Sequence, residues 1–182
     1  MESTIIGFVG VIIGAVLTGG VSIYLDYRNE ERETKATIKA LKSELQALKI
    51  IFINEFGSKI SQDEKPLFYS YPLETDYFII YHSNTSKIGK INNDTLRENI
   101  IFIYSTAKFF LDCIRTNNAI LEDYKKINEK YSYIPIKSRE YDSGYKNDVK
   151  PVLYRLELSK TENLLPTYNK LNALFETFTT ID

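Results

Sequence analysis

The chain has 182 residues, a formal net charge of -1 and a pI near 6.0, enough for one modest domain but without the basic field that nucleic-acid binding needs. A single cysteine, Cys113, excludes an internal disulfide and a CxxC zinc site, and a single histidine, His82, leaves no His pair for a metal. There is no tryptophan, so 14 tyrosines and 10 phenylalanines supply the aromatic bulk.

Ile5 to Leu25 contains 21 residues without a charge. A helix of that length is roughly 31 Å long, which predicts a single transmembrane span across a hydrocarbon core of about 30 Å. Glu2 precedes the run in place of the positive charge of a signal peptide, and no A-x-A-like exit follows it. Arg28, Arg32, Lys35, Lys39 and Lys42 follow the run, so the positive-inside rule predicts an outside N-terminus and a cytoplasmic C-terminal domain. Within the run Gly7, Gly10, Gly14, Thr18 and Ser22 form a ridge of small side chains. Such a ridge suits close helix packing in the membrane, against another copy or a different membrane protein.

Three regions are predicted: a membrane anchor over 1–25, a polar helical neck over 26–37 and a helical domain over 38–182. In the third, Ile38, Leu41, Leu45, Leu48 and Phe52 recur at spacings of 3 and 4. That seam has two readings, a short parallel coiled coil or an amphipathic helix packed on its own domain, and its length favours the second. Gly57 is placed to stop the helix. Pro66 and Pro72 mark the next stretch as a connector, and residues 77–82, YFIIYH, read as a strand or a helical turn.

Residues 81–91, YHSNTSKIGKI, form the most individual stretch. Lys87, Lys90 and the backbone around Gly89 could grip an anion or a partner near a helix N-terminus, although no GxxxxGK[ST] loop is present. The plainer reading is a tight turn in which Asn84 and Gly89 relieve strained dihedrals while Ile88 and Ile91 plug the core. The SNTSKIG turn, followed by the helical IIFIY face at 100–104, resembles an element of small single-pass bacterial membrane proteins with cytosolic helical modules. Some of these look like parts of phage-resistance loci. The resemblance covers about residues 76–112, implies a setting in antiviral defence and carries no catalytic role.

A long helix is predicted over about 94–131, capped by Asn93 or through a Thr95–Glu98 box, with a soft point at Thr116-Asn117-Asn118. Cys113 falls near its apolar face, as a core cysteine and not a nucleophile. Residues 132–147 read as a loop, and 148–180 as a helical region with Pro151 in its first turn and Pro166 ending or kinking it. The predicted fold is all-α: an N-terminal transmembrane helix followed by an antiparallel bundle of about three long, partly kinked helices.

The sequence offers no catalytic residues, no cofactor site and no metal ligands, which argues against an enzyme. The leading expectation is a membrane-tethered, non-enzymatic interaction or scaffold protein at the inner or plasma membrane. Its partners would be the lipid bilayer, itself or another membrane protein, and a protein bound by the cytosolic domain. Two alternatives are an oligomerising effector that permeabilises the bilayer and a sensor of an anionic ligand near the Lys87–Lys90 turn.

Overall fold

The computed structural model describes the backbone of residues 2–60, 66–73 and 76–179, and the side chains of residues 14–60, 66–73 and 76–178. Every described element is helical. Helix α1 spans Glu2–Lys49 and runs on through a π segment, Ile50–Phe56, into α2, Gly57–Ile60. Two short helices follow, α3 at Ile79–Ser83 and α4 at Thr85–Ile88, and then the long α5 at Asp94–Lys130. After α6, Ile136–Arg139, helix α7 spans Ser143–Leu158 and continues through a π segment, Ser159–Leu164, into α8, Leu165–Thr179.

The seam on α1 is spent on its own domain. Leu41, Leu45, Leu48 and Phe52 are all buried in one core with Ile100, Ile103, Phe110 and Ile114 of α5 and Leu171 and Phe175 of α8. The coiled-coil reading is thereby corrected, because the seam has no apolar surface left for a partner. A smaller core joins Ile120 and Leu121 of α5 to Val152 and Leu156 of α7.

The antiparallel expectation is also corrected. Tyr104 of α5 lies beside Glu44 of α1, and Phe110 lies 5.7 Å from Phe52, so α5 runs parallel to α1. The connector makes this possible by returning along α1. Tyr71 packs on Phe56 at 4.1 Å and Tyr77 on Phe52 at 5.7 Å; further on, the amides of Ile80 and Tyr81 reach Glu44, and Lys90 reaches Glu30. Only the α7–α8 rod is antiparallel to the other two. Its Asp148 meets Lys130, its Arg155 meets Asp123, and its Glu176 meets Lys49.

Several helix boundaries differ from the sequence reading for local reasons. Gly57 does not stop the helix; its φ of -59° and ψ of -41° are right-handed helical. It is glycine because a Cβ there would overlap the Tyr168 ring. Within the segment YFIIYH, Tyr77 and Phe78 precede α3 and Ile79 to His82 belong to it, so it is a helical turn and not a strand. Asn93 caps α5, its side chain accepting from the Leu96 amide at 2.9 Å. Helix α5 passes through Thr116-Asn117-Asn118 unbroken, and the two asparagines instead bind the connector. Asn118 accepts from the Tyr71 amide and donates to the Tyr71 carbonyl, while Asn117 donates to the Leu67 carbonyl. Part of the predicted loop is helical, since Asp142 caps α7 through the Tyr145 amide and Pro151 sits inside the helix. Pro166 neither ends nor starts the rod. Proline lacks an amide and crowds the carbonyl one turn back, and the wider π turn immediately before α8 makes room for it.

Among the described residues no helix is long and apolar enough to cross a membrane. The apolar run with described side chains, Gly14 to Leu25, has 12 residues. At 1.5 Å per residue it is about 18 Å long, short of a hydrocarbon core of about 30 Å. Residues 5–13 of the expected span, with Gly7 and Gly10, lie outside the described side chains. The transmembrane helix, the single-pass inner- or plasma-membrane localisation, the bilayer partnership and the bilayer-permeabilising effector are corrected accordingly. The fold is an all-α bundle with α1 extending beyond it.

Candidate functional site on the outer face of α1

The rod that opens the chain carries two opposed faces. Its inner face is the buried seam from Leu41 to Phe52. At 100° per residue, a second line through Ala36, Ala40, Ser43 and Ala47 lies roughly 150° around the helix from that seam. These residues, followed by Ile50, recur at spacings of 4, 3, 4 and 3. Ala36, Ser43 and Ala47 are exposed, Ala40 is half-buried, and Ile50 is 56% exposed. The periodicity of leucines made the inner face legible in the sequence. The outer face was missed because its alanines and serine read as ordinary helix filler.

The same azimuth carries Gly14, Thr18 and Ser22 on the part of α1 that extends beyond the bundle. A Cβ added at Gly14 would meet no atom within 4 Å, so the ridge is open along this stretch. Its flanks are apolar and bare, with Val16 68% and Ile23 72% exposed. Two hydroxyls on the outer face are already satisfied within the helix. Thr18 donates to the Gly14 carbonyl at 2.7 Å and Ser43 to the Lys39 carbonyl at 3.1 Å. Burying such hydroxyls strands no donor, which removes the main penalty for covering a polar side chain.

Lys87, Gly89 and Lys90 lie where the connector turns into α5, against the part of α1 that carries Glu30 and Glu33. The Lys87 ammonium is 3.3 Å from Glu33 and the Lys90 ammonium 2.5 Å from Glu30. The hydrogen bond from Lys90 to Glu30, with the attraction of that carboxylate, raises the Lys90 pKa. Both cations therefore fasten the neck of α1 to the turn. Gly89, at φ -60°, and Asn84, at φ -121°, relieve no left-handed strain, while Ile88 and Ile91 are buried as the turn reading required. A cleft of about 410 Å³ opens beside these pairs, lined by Tyr27, Thr34, Ile38, Asn93 and Leu96 among others.

The remaining candidate groups take structural positions. His82 is exposed and lies edge-on to Phe78 and Tyr81. Cys113 is buried, and burial pushes its thiol pKa up, away from nucleophile chemistry. Among the described residues no three His, Cys, Asp or Glu side chains come together as a metal site.

No family model, no curated protein and no solved structure matches the chain. The resemblance to single-pass bacterial membrane proteins is thus corrected on two grounds: no related family appears, and no described helix crosses a membrane. The antiviral-defence setting that rested on it goes with it.

Proposed function

We propose that this is a non-enzymatic helical protein that works by association, two copies packing along the outer faces of their α1 helices. The observation that carries this reading is the small-residue line Ala36, Ala40, Ser43 and Ala47 opposite the core seam, with Gly14, Thr18 and Ser22 on the same azimuth beyond an intervening Leu25, Asn29 and Arg32. Ala36, Ser43 and Ala47 are exposed, Ala40 is half-buried, and the Thr18 and Ser43 hydroxyls are satisfied within the helix. Small side chains let two helix backbones approach closely, and the opposed seams keep each bundle on the far side of its own α1.

The test is disulfide formation in the full chain with Cys113→Ser as background. Ala47→Cys lies on the outer face, whereas Gln46→Cys is exposed but about 100° away. A disulfide requires Cα atoms within about 7 Å, so the expected result is a covalent dimer at position 47 and little at position 46. Ala40→Glu should abolish the crosslink. Equal crosslinking at 46 and 47, or none at 47, overturns the proposal.

A further inference from the structure

A separate surface lies on α5 and α8, away from the outer face of α1. Phe102, Ser105, Thr106 and Phe109 of α5 border a groove of about 410 Å³ completed by Pro166, Thr167 and Lys170 of α8. The four α5 residues stand at i, i+3, i+4 and i+7. This is the arrangement of side chains that forms a hole for one inserted side chain of a neighbouring helix. The two phenylalanines are two turns apart, about 10.5 Å along the axis, and the small Ser105 and Thr106 form the floor between them. Phe102 is 47% and Phe109 54% exposed, so this hole is made of large aromatic walls that the bundle does not use.

The electrostatics of the groove are one-sided. Lys170 lines the groove, its ammonium 4.5 Å from the centre of the Phe102 ring. Among the described residues that line the groove there is no carboxylate. An apolar hole with one cation in its lining and no acid of its own is complementary to an apolar side chain beside an acid.

We propose that this groove docks an amphipathic helix of a partner protein, inserting one large apolar side chain between Phe102 and Phe109 and setting a carboxylate against Lys170. The inserted side chain buries the exposed parts of the two rings, and the carboxylate sets which side of the docked helix meets α8. Aromatic walls around a desolvated pocket are where binding energy concentrates, and rim charges choose among partners.

The probe is a synthetic 15-residue peptide with leucine at every third or fourth position and glutamate between, labelled for fluorescence anisotropy. Its control carries lysine in place of every glutamate. The full chain should bind the acidic peptide and discriminate against the basic one. Phe109→Ser should weaken binding by about tenfold or more, as expected for a pocket-lining aromatic. Lys170→Glu leaves the apolar hole intact and should reverse the preference between the two peptides. Circular dichroism of each variant separates lost binding from lost folding, and the half-exposed positions keep the core out of the comparison. Equal affinity for the two peptides, wild-type binding by folded Phe109→Ser, or no binding at millimolar peptide overturns the proposal.

Discussion

Glu44 is the acid that ties the connector to the bundle, and its removal should be the most damaging single polar change on α1. Its carboxylate accepts from the amides of Ile80 at 2.7 Å and Tyr81 at 3.0 Å, and from the Tyr104 hydroxyl at 2.6 Å. The first two are amides at the start of α3, where a helix has no internal acceptor for them. The third belongs to a residue only 2% exposed, whose ring stacks on Tyr81 at 4.1 Å. Hydrogen bonds to a charged group contribute about 1.5–3 kcal/mol each, but the two amides can be rehydrated once the acid is gone. The buried hydroxyl cannot, and an orphaned buried donor costs about 1–3 kcal/mol. Glu44→Ala should therefore lose about 3–5 kcal/mol, and Tyr104→Phe alone about 1–1.5 kcal/mol. In the double variant the orphaned hydroxyl is absent, so the two losses should fall short of additivity by about 1–2 kcal/mol. Urea unfolding of the full chain and the three variants measures the cycle. Additive losses, or a Glu44→Ala loss under about 1 kcal/mol, would refute the argument that the acid organises this corner.

Two further outcomes follow from packing and ionisation. Burial raises the Tyr71 pKa to about 12 and, together with the hydrogen bond to Glu44, raises that of Tyr104. Both hydroxyls are neutral in the fold and ionise near 10 when unfolded, so their contribution is complete below pH 10 and is lost as pH rises, for Tyr71 between about 10 and 12. A pH series of urea midpoints should fall above pH 10, less steeply in Tyr71→Phe; an unchanged slope in that variant refutes the assignment. At Gly57 an added methyl would overlap the Tyr168 ring, whereas at Gly14 it would meet open space. Gly57→Ala should lower stability by about 1–3 kcal/mol and Gly14→Ala should not, as read by the same urea midpoints.

What could be read in advance was set by period, and what could not was set by partners. Ile38 to Phe52 announced a buried face because leucine spacing alone defines it, and Asp94 to Lys130 announced a long helix for the same reason. The direction of α5 was not legible. It depends on the connector lying back along α1, which is fixed by Glu44, Asn117 and Asn118 acting on backbone groups far away in sequence. Asparagines in a helix read as a weak point from propensity, since their side chains compete for local backbone. Here their side chains are occupied by the connector, and the helix gains an anchor where a break was predicted. Glycine and proline misled for a related reason. Gly57 is required by the Tyr168 ring and not by a turn, and Pro166 is accommodated by a π segment that no residue pattern marks.

The candidate sites divide in the same way. Lys87 and Lys90 attracted attention as two cations at a helix start, but Glu33 and Glu30 are one rod away and invisible from the turn itself. Once those pairs form, the turn is a fastening between neck and bundle. That fastening has a consequence for the outer face of α1. The ion pairs tie Glu30, on the seam side, and Glu33, on the flank, to the turn, and the Leu41–Phe52 seam holds the stretch beyond them in the core. Ala36 and Ala47 are thereby kept on the exposed side of the helix, with half-buried Ala40 at its edge. Two opposed seams on one continuous rod thus convert the internal packing of the domain into a fixed presentation of its external face.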